Sequence, residues 1–452
     1  MKKIITIVLL LAVTFTFAQV TLSPDYDYKV SEPYRVVDAR SKEYFSDGKS
    51  VLSLKVKPKK NQILLQKYDV QNMKEIGKKY YNDLPKNFVY EGLVETQGKY
   101  YFFYSSWSGK KTKQERLYYR EIDFKSGTFK GEAKKLIDYN GRLTNFYRTK
   151  SYHFTLGMKN ENVPKFNILV SKDKSKILIQ YLKKLEGKEV LDIIDVNVFD
   201  ISFNKIWSKT YTIPYHWRKM TMVDNLIDNE GNIFMLTSIM NKSKKGEEYY
   251  HLELFKMNNN LNKIAITPIQ LDNIFIDIVI LNQLNKKELI LAGYYQNTVD
   301  NNGPNGFFIQ KISKTGELIS NKKYEISAEI INQYKRKAIK KKKGKPYDEF
   351  AINHIIINTD NSITIVGEAY YSYSVSSPDG GYSLHYYNDI LVSKIKPNGD
   401  LDWIKKIPKR QRGSNNGQGG MSYTYFKRND NLYFTYIDNI KNYCCPIKPK
   451  IS

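Results

Sequence analysis

A two-part pattern recurs six times along the chain and limits the folds that it can adopt. Its second half is a short apolar strand, a polar turn and a further strand. This half occurs at 64–76, 119–131, 198–209, 254–265, 310–320 and 393–403. A first half precedes each copy, and a seventh first half stands at 427–438. Repeats of this kind indicate an array of similar supersecondary units, none of which can bury both of its faces alone.

The fourth copy shows the strands of one unit most clearly. We expect strands at 220–227, 232–238, 250–257 and 262–269, joined by tight turns rich in Asn, Asp and Gly. Equivalent positions of successive copies are separated by five intervals. Three of these intervals are about 55 residues long, and two are longer. Four short strands per unit, without helical periodicity, predict an all-β chain: a β-propeller of six or seven four-stranded blades.

Two consecutive segments resemble a repeat that is common in secreted bacterial β-propeller proteins. They are NTDNSITIVGEAY at 358–370 and NDILVSKIKPNGDLDWIKKI at 388–407. The repeat has an Asp-Gly turn and an alternating apolar strand that ends in Gly. A second strand, a Gly turn and a Trp-Lys ending follow. The resemblance implies the propeller fold and carries no catalytic residues.

The two ends of the repeat region leave the closure of the ring open. The first unit, 34–81, has its own first strands, including 50–56, and the hairpin at 421–438 follows the last full unit. That hairpin either begins a seventh blade or inserts into the first blade of a six-bladed ring. We expect closure by strands from both termini, because a ring closed in this way has no broken edge. A single propeller domain is therefore predicted over 34–443.

The remaining segments lie outside this domain. Residues 1–18 combine Lys2 and Lys3 with an apolar run and small residues before Gln19, which predicts a signal peptide cleaved after Ala18. An N-terminal lead covers 19–33 and a tail covers 444–452. No other stretch is long and apolar enough to predict a transmembrane segment. The chain is therefore expected to be exported, and to be periplasmic, on the cell surface or secreted.

Two cysteines and a large positive charge bear on the partners of the chain. Cys444 and Cys445 are adjacent, and neighbouring cysteines seldom form a disulfide of normal geometry. The formal net charge is +26. Such a field favours acidic partners such as anionic glycans or acidic proteins. The alternative is a lysine-rich background that serves only solubility. We expect a protein or glycan partner and do not expect nucleic acid.

The long connections are expected on one face of the propeller. The segments concerned are 105–116, 138–163, 239–249, 294–306, 327–347, 371–387 and 409–420. All of them join the second strand of a unit to its third, or one unit to the next, and in a propeller these connections share one face. Long loops on a rigid scaffold are where binding residues usually lie. The alternative is neutral drift, because loops accept insertions at little cost.

One of these segments has the composition of a recognition surface. Residues 370–387 place aromatic side chains among Ser and Gly, and the candidate binding residues are Tyr370, Tyr371, Tyr373, Tyr382, His385, Tyr386 and Tyr387. Rigid aromatic side chains with small polar neighbours suit glycans or proteins. The alternative is a hairpin extension whose tyrosines pack on each other. The basic segment 335–345 is expected to be a solvated loop, with a polyanion tether as the alternative.

Signals for catalysis, metals and cofactors are thin. The five histidines show no paired spacing typical of a metal site, and no G-x-S-x-G elbow occurs. The Gly-rich segment 413–420 lacks the Lys-Ser/Thr pair of a phosphate-binding loop. The turn at 228–231 resembles part of a calcium loop, yet a hairpin turn explains it better. We therefore assign no catalytic residue, metal or cofactor.

These observations favour one function and keep two others open. The first is a non-enzymatic binding or scaffold propeller that recognises a glycan or protein through its loop-rich face. The second is a hydrolase or lyase that acts on an anionic polysaccharide, with the basic charge attracting the substrate. The third is a passive component of a cell-envelope assembly. Whether the chain is an enzyme is not decided by the sequence, although the sequence leans against it.

Overall fold

The computed structural model describes residues 39, 41–146, 163–185, 187, 190–242, 248–270, 274–297, 304–333, 350–376, 381–414, 421–428 and 431–437. The predictions for the signal peptide 1–18, the lead 19–33, the basic segment 335–345, Cys444, Cys445 and the tail 444–452 lie outside these residues. So do the end of the Gly-rich segment, 415–420, and most of the segment 138–163.

Six sheets of antiparallel strands follow one another along the chain. Blade 1 contains β1 (Ser41–Ser46), β2 (Ser50–Lys57), β3 (Gln62–Asp69) and β4 (Glu75–Tyr81). Blade 2 contains β5 (Val89–Thr96), β6 (Lys99–Trp107), β7 (Gln114–Asp123) and β8 (Thr128–Asn140). Blade 3 contains β9 (Leu143–Thr144), β10 (Phe166–Val170), β11 (Lys176–Lys183), β12 (Ile193–Asp200) and β13 (Lys205–Thr212).

The second half of the chain repeats the arrangement. Blade 4 contains β14 (Met220–Ile227), β15 (Ile233–Lys242), β16 (Glu248–Met257) and β17 (Ala265–Ile269). Blade 5 contains β18 (Phe275–Gln283), β19 (Glu288–Gln296), β20 (Gly306–Ser313) and β21 (Leu318–Glu325), and helix α1 (Ala328–Asn332) follows. Blade 6 contains β22 (Phe350–Ile357), β23 (Ile363–Val375), β24 (Tyr382–Ile395), β25 (Leu401–Ile407) and β26 (Gln411–Ser414). A hairpin of β27 (Thr424–Arg428) and β28 (Asn431–Thr435) ends the described chain.

The six sheets are the blades of a six-bladed β-propeller. In every blade the four main strands are hydrogen-bonded in chain order. The first strands of blades 2 to 6 contact each other in succession, from β5 and β10 to β18 and β22, which places them around the central axis. The all-β prediction is therefore confirmed. The strands expected for the fourth unit correspond to β14–β17.

The core lies between the blades, because each inner strand is apolar on both faces. In β19, Leu289 and Leu291 pack in the cluster between blades 4 and 5. The intervening Ile290 and Ala292 pack in the cluster between blades 5 and 6. Successive side chains of a strand point to opposite faces, so a continuous apolar run serves both neighbours. Similar clusters join blades 1 and 2, blades 2 and 3, and blades 3 and 4.

Several hairpin turns require glycine because their backbone adopts a positive φ angle. Gly231, Gly316 and Gly399 follow the polar ends of strands and have φ angles of 87°, 94° and 85°. Side chains with a Cβ atom rarely adopt this left-handed conformation. At the first of these turns the Asp228 carboxylate accepts hydrogen bonds from the backbone of Glu230 and Asn232. The turn at 228–231 is thus a hairpin turn, as expected.

The connections divide between the two ends of the propeller by length. Turns between the first and second strands of a blade are short, as at 97–98 and 228–232. The turns between the third and fourth strands are of similar length. The longest connections, 141–165 and 326–349, join one blade to the next. They emerge on the same face as the connections between second and third strands. We call this end the loop-rich face and the opposite end the turn face.

The C-terminal hairpin packs on blade 6. Tyr423, Phe434 and Tyr436 contact the cluster of Val366, Ile390 and Val392, on the side of blade 6 that faces away from blade 5. Among the described residues β27 and β28 pair only with each other, and blade 1 has four strands of its own. Neither a seventh blade nor closure by strands from both termini is confirmed by this arrangement.

None of the helices in the described part of the chain is both long enough and apolar enough to cross a membrane.

Candidate functional site

A three-stranded sheet extension rises above blade 6 on the loop-rich face. It consists of the end of β23 (370–375), the start of β24 (382–387) and β26. The segment 371–387, expected to be a loop, is therefore mostly strand, with its connection at 376–381. Tyr and β-branched residues favour strands, which explains why the chain continues the blade instead of forming a loop. A register shift between Glu368 and Tyr370 separates the extension from the blade.

The strand alternation distributes the candidate binding residues over two faces. Cross-strand pairs place Tyr371, Tyr373, Tyr382 and Tyr386 on one face of the extension. Tyr370, His385 and Tyr387 belong to the other face. The sequence grouped all seven in one surface because their spacing does not show where the register shift lies.

The first face carries a stack of parallel rings. The Tyr371 and Tyr386 rings are 4.5 Å apart at the centroids and 8° from parallel. The Tyr373 ring lies 5.8 Å from the Tyr386 ring at 22°, and the two hydroxyl oxygens are 3.1 Å apart. Tyr373 and Tyr382 remain 46% and 40% exposed. These tyrosines pack on each other, as the alternative interpretation expected, and still present an accessible aromatic surface.

An arginine that sequence reasoning missed continues this stack. Arg412 pairs with Tyr386 across β24 and β26, and its guanidinium carbon lies 5.8 Å from the Tyr386 ring centroid. The side chain is exposed, and it forms no ion pair with any residue that the structure describes. We call Tyr371, Tyr373, Tyr386 and Arg412 the tyrosine–arginine ladder. The sequence carries no clear signal for it, because residues 409–412 are all polar and only the burial of Lys409 and Gln411 reveals the strand alternation.

The second face holds the extension to the blade. The Tyr370 hydroxyl lies 3.0 Å from His385 Nδ1, and His385 is only 3% exposed. Burial raises the pKa of the Tyr387 hydroxyl. The Tyr387 carbonyl oxygen accepts a hydrogen bond from Lys409 Nζ at 2.9 Å. These three candidate residues therefore position the extension and offer little surface to a ligand.

A buried ion pair fixes the base of the extension. Lys409 Nζ lies 2.6 Å from a carboxylate oxygen of Glu368, and both side chains are almost completely buried. The other Glu368 oxygen accepts a hydrogen bond from the Ser422 hydroxyl at 2.6 Å. Gln411 accepts from the Ser422 backbone and donates to the Ile437 carbonyl oxygen at 2.8 Å. The same network thus holds blade 6, β26 and the C-terminal hairpin.

Burial raises the pKa of carboxyl groups in the innermost strands, and two of these groups also link neighbouring blades. Burial raises the pKa of Glu91 to about 7, although the Ser105 hydroxyl and the backbone N–H groups of Lys165 and Phe166 donate to it. Burial likewise raises the pKa of Asp224 to about 6. Asp224 accepts hydrogen bonds from the backbone N–H of Leu281 in the next blade and of Asn225. Both carboxyl groups tie one blade to its neighbour.

The histidines are dispersed over the described structure. His251 Nε2 lies 3.0 Å from Glu253, His354 contacts the Tyr425 ring, and His216 neighbours Trp217 on the loop-rich face. His153 lies outside the described residues. Within the described ranges no group of three or more His, Cys, Asp or Glu side chains is arranged to hold a metal ion.

Comparison with known proteins identifies no family. No family of known proteins matches the sequence, and no curated protein matches it. Solved structures with a similar fold include an apocarotenoid oxygenase from Synechocystis, at 9% identity and a TM-score of 0.37, over 82% of this chain and 74% of that one. An α-L-arabinanase from Penicillium chrysogenum, in complex with arabinobiose, has 10% identity and a TM-score of 0.34, over 81% and 92%. A protein of unknown function from Dyadobacter fermentans has 9% identity and a TM-score of 0.33, over 72% and 96%.

Proposed function

We propose that the chain is an exported, non-enzymatic binding or scaffold propeller that recognises a glycan or protein partner through its loop-rich face. The sheet extension of blade 6 forms the recognition surface. The observation that carries this proposal is the tyrosine–arginine ladder. Its rings are held nearly parallel by cross-strand pairing above the buried ion pair, yet Tyr373 and the neighbouring Tyr382 stay accessible. Surfaces that are ordered before binding lose little conformational entropy when a partner docks.

The test compares variants of the two ends of the propeller. The first variant, Tyr373→Ser with Tyr386→Ser, removes two rings of the ladder. The control, Ile206→Ser with Leu318→Ser, removes exposed apolar side chains next to turns of the turn face. Both purified proteins and the wild type are titrated against a panel of neutral and acidic polysaccharides and against purified envelope proteins. We expect the ladder variant alone to lose at least tenfold in affinity for the bound partner, about 1.4 kcal/mol.

Two results would contradict this proposal. One is an equal loss of binding in the turn-face variant, which would place the contact elsewhere. The other is cleavage of a polysaccharide by the wild-type protein, detected as shorter chains by size-exclusion chromatography. That second outcome would favour the alternative of a hydrolase or lyase acting on an anionic polysaccharide. The other alternative, a passive component of a cell-envelope assembly, predicts that the ladder variant still co-purifies with its assembly.

Export is part of the same proposal. It is supported by the charged start, the apolar run and the small residues of 1–18. Expression of the full chain in a bacterial host with an intact export pathway should yield a mature protein that begins at Gln19. Mass spectrometry of the N-terminal peptide measures this. A chain that keeps residues 1–18 and stays in the cytoplasm would contradict it.

We further propose that strands from both termini meet where the ring closes. The support is the position of the C-terminal hairpin on the free side of blade 6, where a following blade would pack. Phe426 and Tyr433 stack on its other face, 5.0 Å apart at the centroids and 49% and 40% exposed. A short amine-reactive cross-linker should join Lys427 of β27 to Lys42 of β1. Cross-links from Lys427 only to blade 6 would contradict closure at this point.

A further inference from the structure

The geometry points to an acidic glycan as the ligand of the tyrosine–arginine ladder, with a uronate carboxylate bound by Arg412 and sugar rings lying against Tyr371, Tyr373 and Tyr386. This inference rests on the proposed function, because it names the class of ligand that the sheet extension recognises.

Arg412 is placed to bind a carboxylate from outside the protein. Its guanidinium is exposed and stacked against Tyr386, and no carboxylate of the described residues pairs with it. The neighbouring cation, Lys409, is buried and neutralised by Glu368. A guanidinium presents parallel N–H donors that match the two oxygens of a carboxylate, and stacking on a ring fixes its plane. The extension thus offers one orientated and unneutralised charge.

The tyrosines supply the second element that a sugar requires. A pyranose ring has apolar C–H faces and a rim of hydroxyl groups, and tyrosine combines an apolar ring with a polar tip. The Tyr373 and Tyr386 hydroxyl oxygens lie 3.1 Å apart on the ladder face, whereas Ser374 and Ser383 pair on the opposite face. With a rise of about 3.3 Å per residue, the six residues 370–375 span roughly 20 Å, enough for several sugar units.

Charge complementarity and surface chemistry favour a glycan over an acidic protein. The net charge of +26 attracts any polyanion and raises its local concentration. Hot spots of protein interfaces are also rich in Tyr and Arg, but they lie in well-packed pockets that become fully desolvated. The ladder instead lies on the open face of a sheet extension and exposes hydroxyl-bearing rings, with Tyr373 46% exposed and the apolar Leu384 of the same face only 6% exposed. The surface therefore matches a hydroxyl-rich chain that carries carboxylates.

The experiment uses the full mature chain and one polymer in two charge states. Binding of polygalacturonate and of its methyl-esterified form is measured by titration calorimetry at low and physiological salt. The wild type should bind polygalacturonate at least tenfold more tightly than the ester. At physiological salt, where the general field is screened, Arg412→Gln should remove most of this preference, whereas Tyr373→Ala should weaken binding to both polymers by a similar factor.

A matched control separates local recognition from the general field. Arg218→Gln also removes one exposed guanidinium, which lies 5.4 Å from the Trp217 ring elsewhere on the loop-rich face. It should leave the affinity for polygalacturonate within about twofold of the wild type. Equal losses in the two arginine variants would overturn the inference, because they indicate attraction by net charge alone. Unfolding temperatures of all variants confirm that each protein is folded.

Further outcomes distinguish this inference from the proposed function. Dextran sulfate that binds as tightly as polygalacturonate, with no dependence on Arg412, overturns a uronate-specific site. Poly-glutamate that binds more tightly than polygalacturonate, and requires Arg412, overturns the glycan class in favour of an acidic protein while the proposed recognition surface stands. If the ladder variants bind every probe and every envelope partner as the wild type does, both the inference and the proposed function fail.

Discussion

At the scale of single residues, the burial of one carboxyl group makes the stability of the fold depend on pH. Glu91 belongs to the innermost strand of blade 2 and is 8% exposed. Its backbone donors come from Lys165 and Phe166 at the start of blade 3, so the group joins two blades. Desolvation disfavours its ionised form more than these hydrogen bonds favour it, and its pKa rises to about 7.

The raised pKa of Glu91 predicts how stability changes with pH. Because the folded chain holds this proton more tightly than the unfolded chain, the free energy of unfolding should fall as pH rises from about 4.5 to about 7. The contribution of this group is on the order of 3 kcal/mol. Glu91→Gln cannot ionise and should flatten this part of the profile, measured by urea unfolding at several pH values.

The exposed Glu132 of β8 provides the control for that measurement. Glu132→Gln should keep the wild-type slope between pH 4.5 and pH 7. A Glu91→Gln protein with an unchanged slope would show that other groups, such as Asp224, account for the whole pH dependence.

At the scale of elements, two buried lysines attach irregular segments to blade 6. Lys406 donates to the carbonyl oxygens of Ile331 and Gln333 at the C-terminus of α1, and its Nζ lies 3.2 Å from Asp389. Lys409 pairs with Glu368 and thereby supports β26 and the C-terminal hairpin. A positive charge near the last carbonyl groups of a helix also interacts favourably with its dipole. Both lysines donate hydrogen bonds to backbone carbonyl groups of these segments or of the blade.

The Glu368–Lys409 pair predicts that the hairpin can be loosened by one substitution. Lys409→Met leaves the Glu368 carboxylate buried without its cation, which should cost about 3–5 kcal/mol of unfolding free energy. The hairpin loses its link to the blade because Glu368 and Gln411 both hold Ser422. Hydrogen exchange of the amides of 421–437 should therefore accelerate more than exchange in blades 2 to 4.

A double variant serves as the control for this prediction. Glu368→Met with Lys409→Met removes both charges, so it should be more stable than Lys409→Met alone. Uniform acceleration of exchange over all blades in the single variant would show that the ion pair supports the whole domain and not the hairpin.

At the scale of the whole molecule, the fold separates a constant frame from a variable face. Short turns occupy the turn face, and the long connections and the sheet extension occupy the loop-rich face. Hairpin turns with positive φ at glycine resist insertion, whereas connections between blades accept it. The tyrosine–arginine ladder, which combines exposed rings with an unneutralised cation, lies on the variable face.

The net charge of +26 predicts a dependence of stability on salt. Mutual repulsion of like charges destabilises the compact state, and salt screens it over a distance of about 10 Å at 0.1 M. The unfolding temperature at neutral pH should therefore rise by a few degrees between about 10 mM and 300 mM NaCl. Near the isoelectric point this rise should disappear. A fall with salt at neutral pH would show that ion pairs such as Lys314 with Asp228 outweigh the repulsion.

The fold could be predicted in large part, because its signals are local. Alternation of apolar residues and turn residues gave the strands of the fourth unit, and its turns appear where expected. The number of blades and the state of the last hairpin depend on which sheets pack together, and this is a long-range property. Seven candidate site residues were named from composition, yet only four of them share the exposed face, since the register shift after Glu368 reassigns alternate residues.

The sequence by itself determined an all-β repeat with one loop-rich face, because strand periodicity and turn chemistry act over a few residues. Only the tertiary structure decided which aromatic side chains form a surface. Pairing between β23, β24 and β26 brings Tyr371, Tyr386 and Arg412 into one row, although Arg412 is distant along the chain. Burial of Glu368 and Lys409 fixes that row above blade 6. Register and burial depend on contacts between distant segments, and no local pattern encodes them.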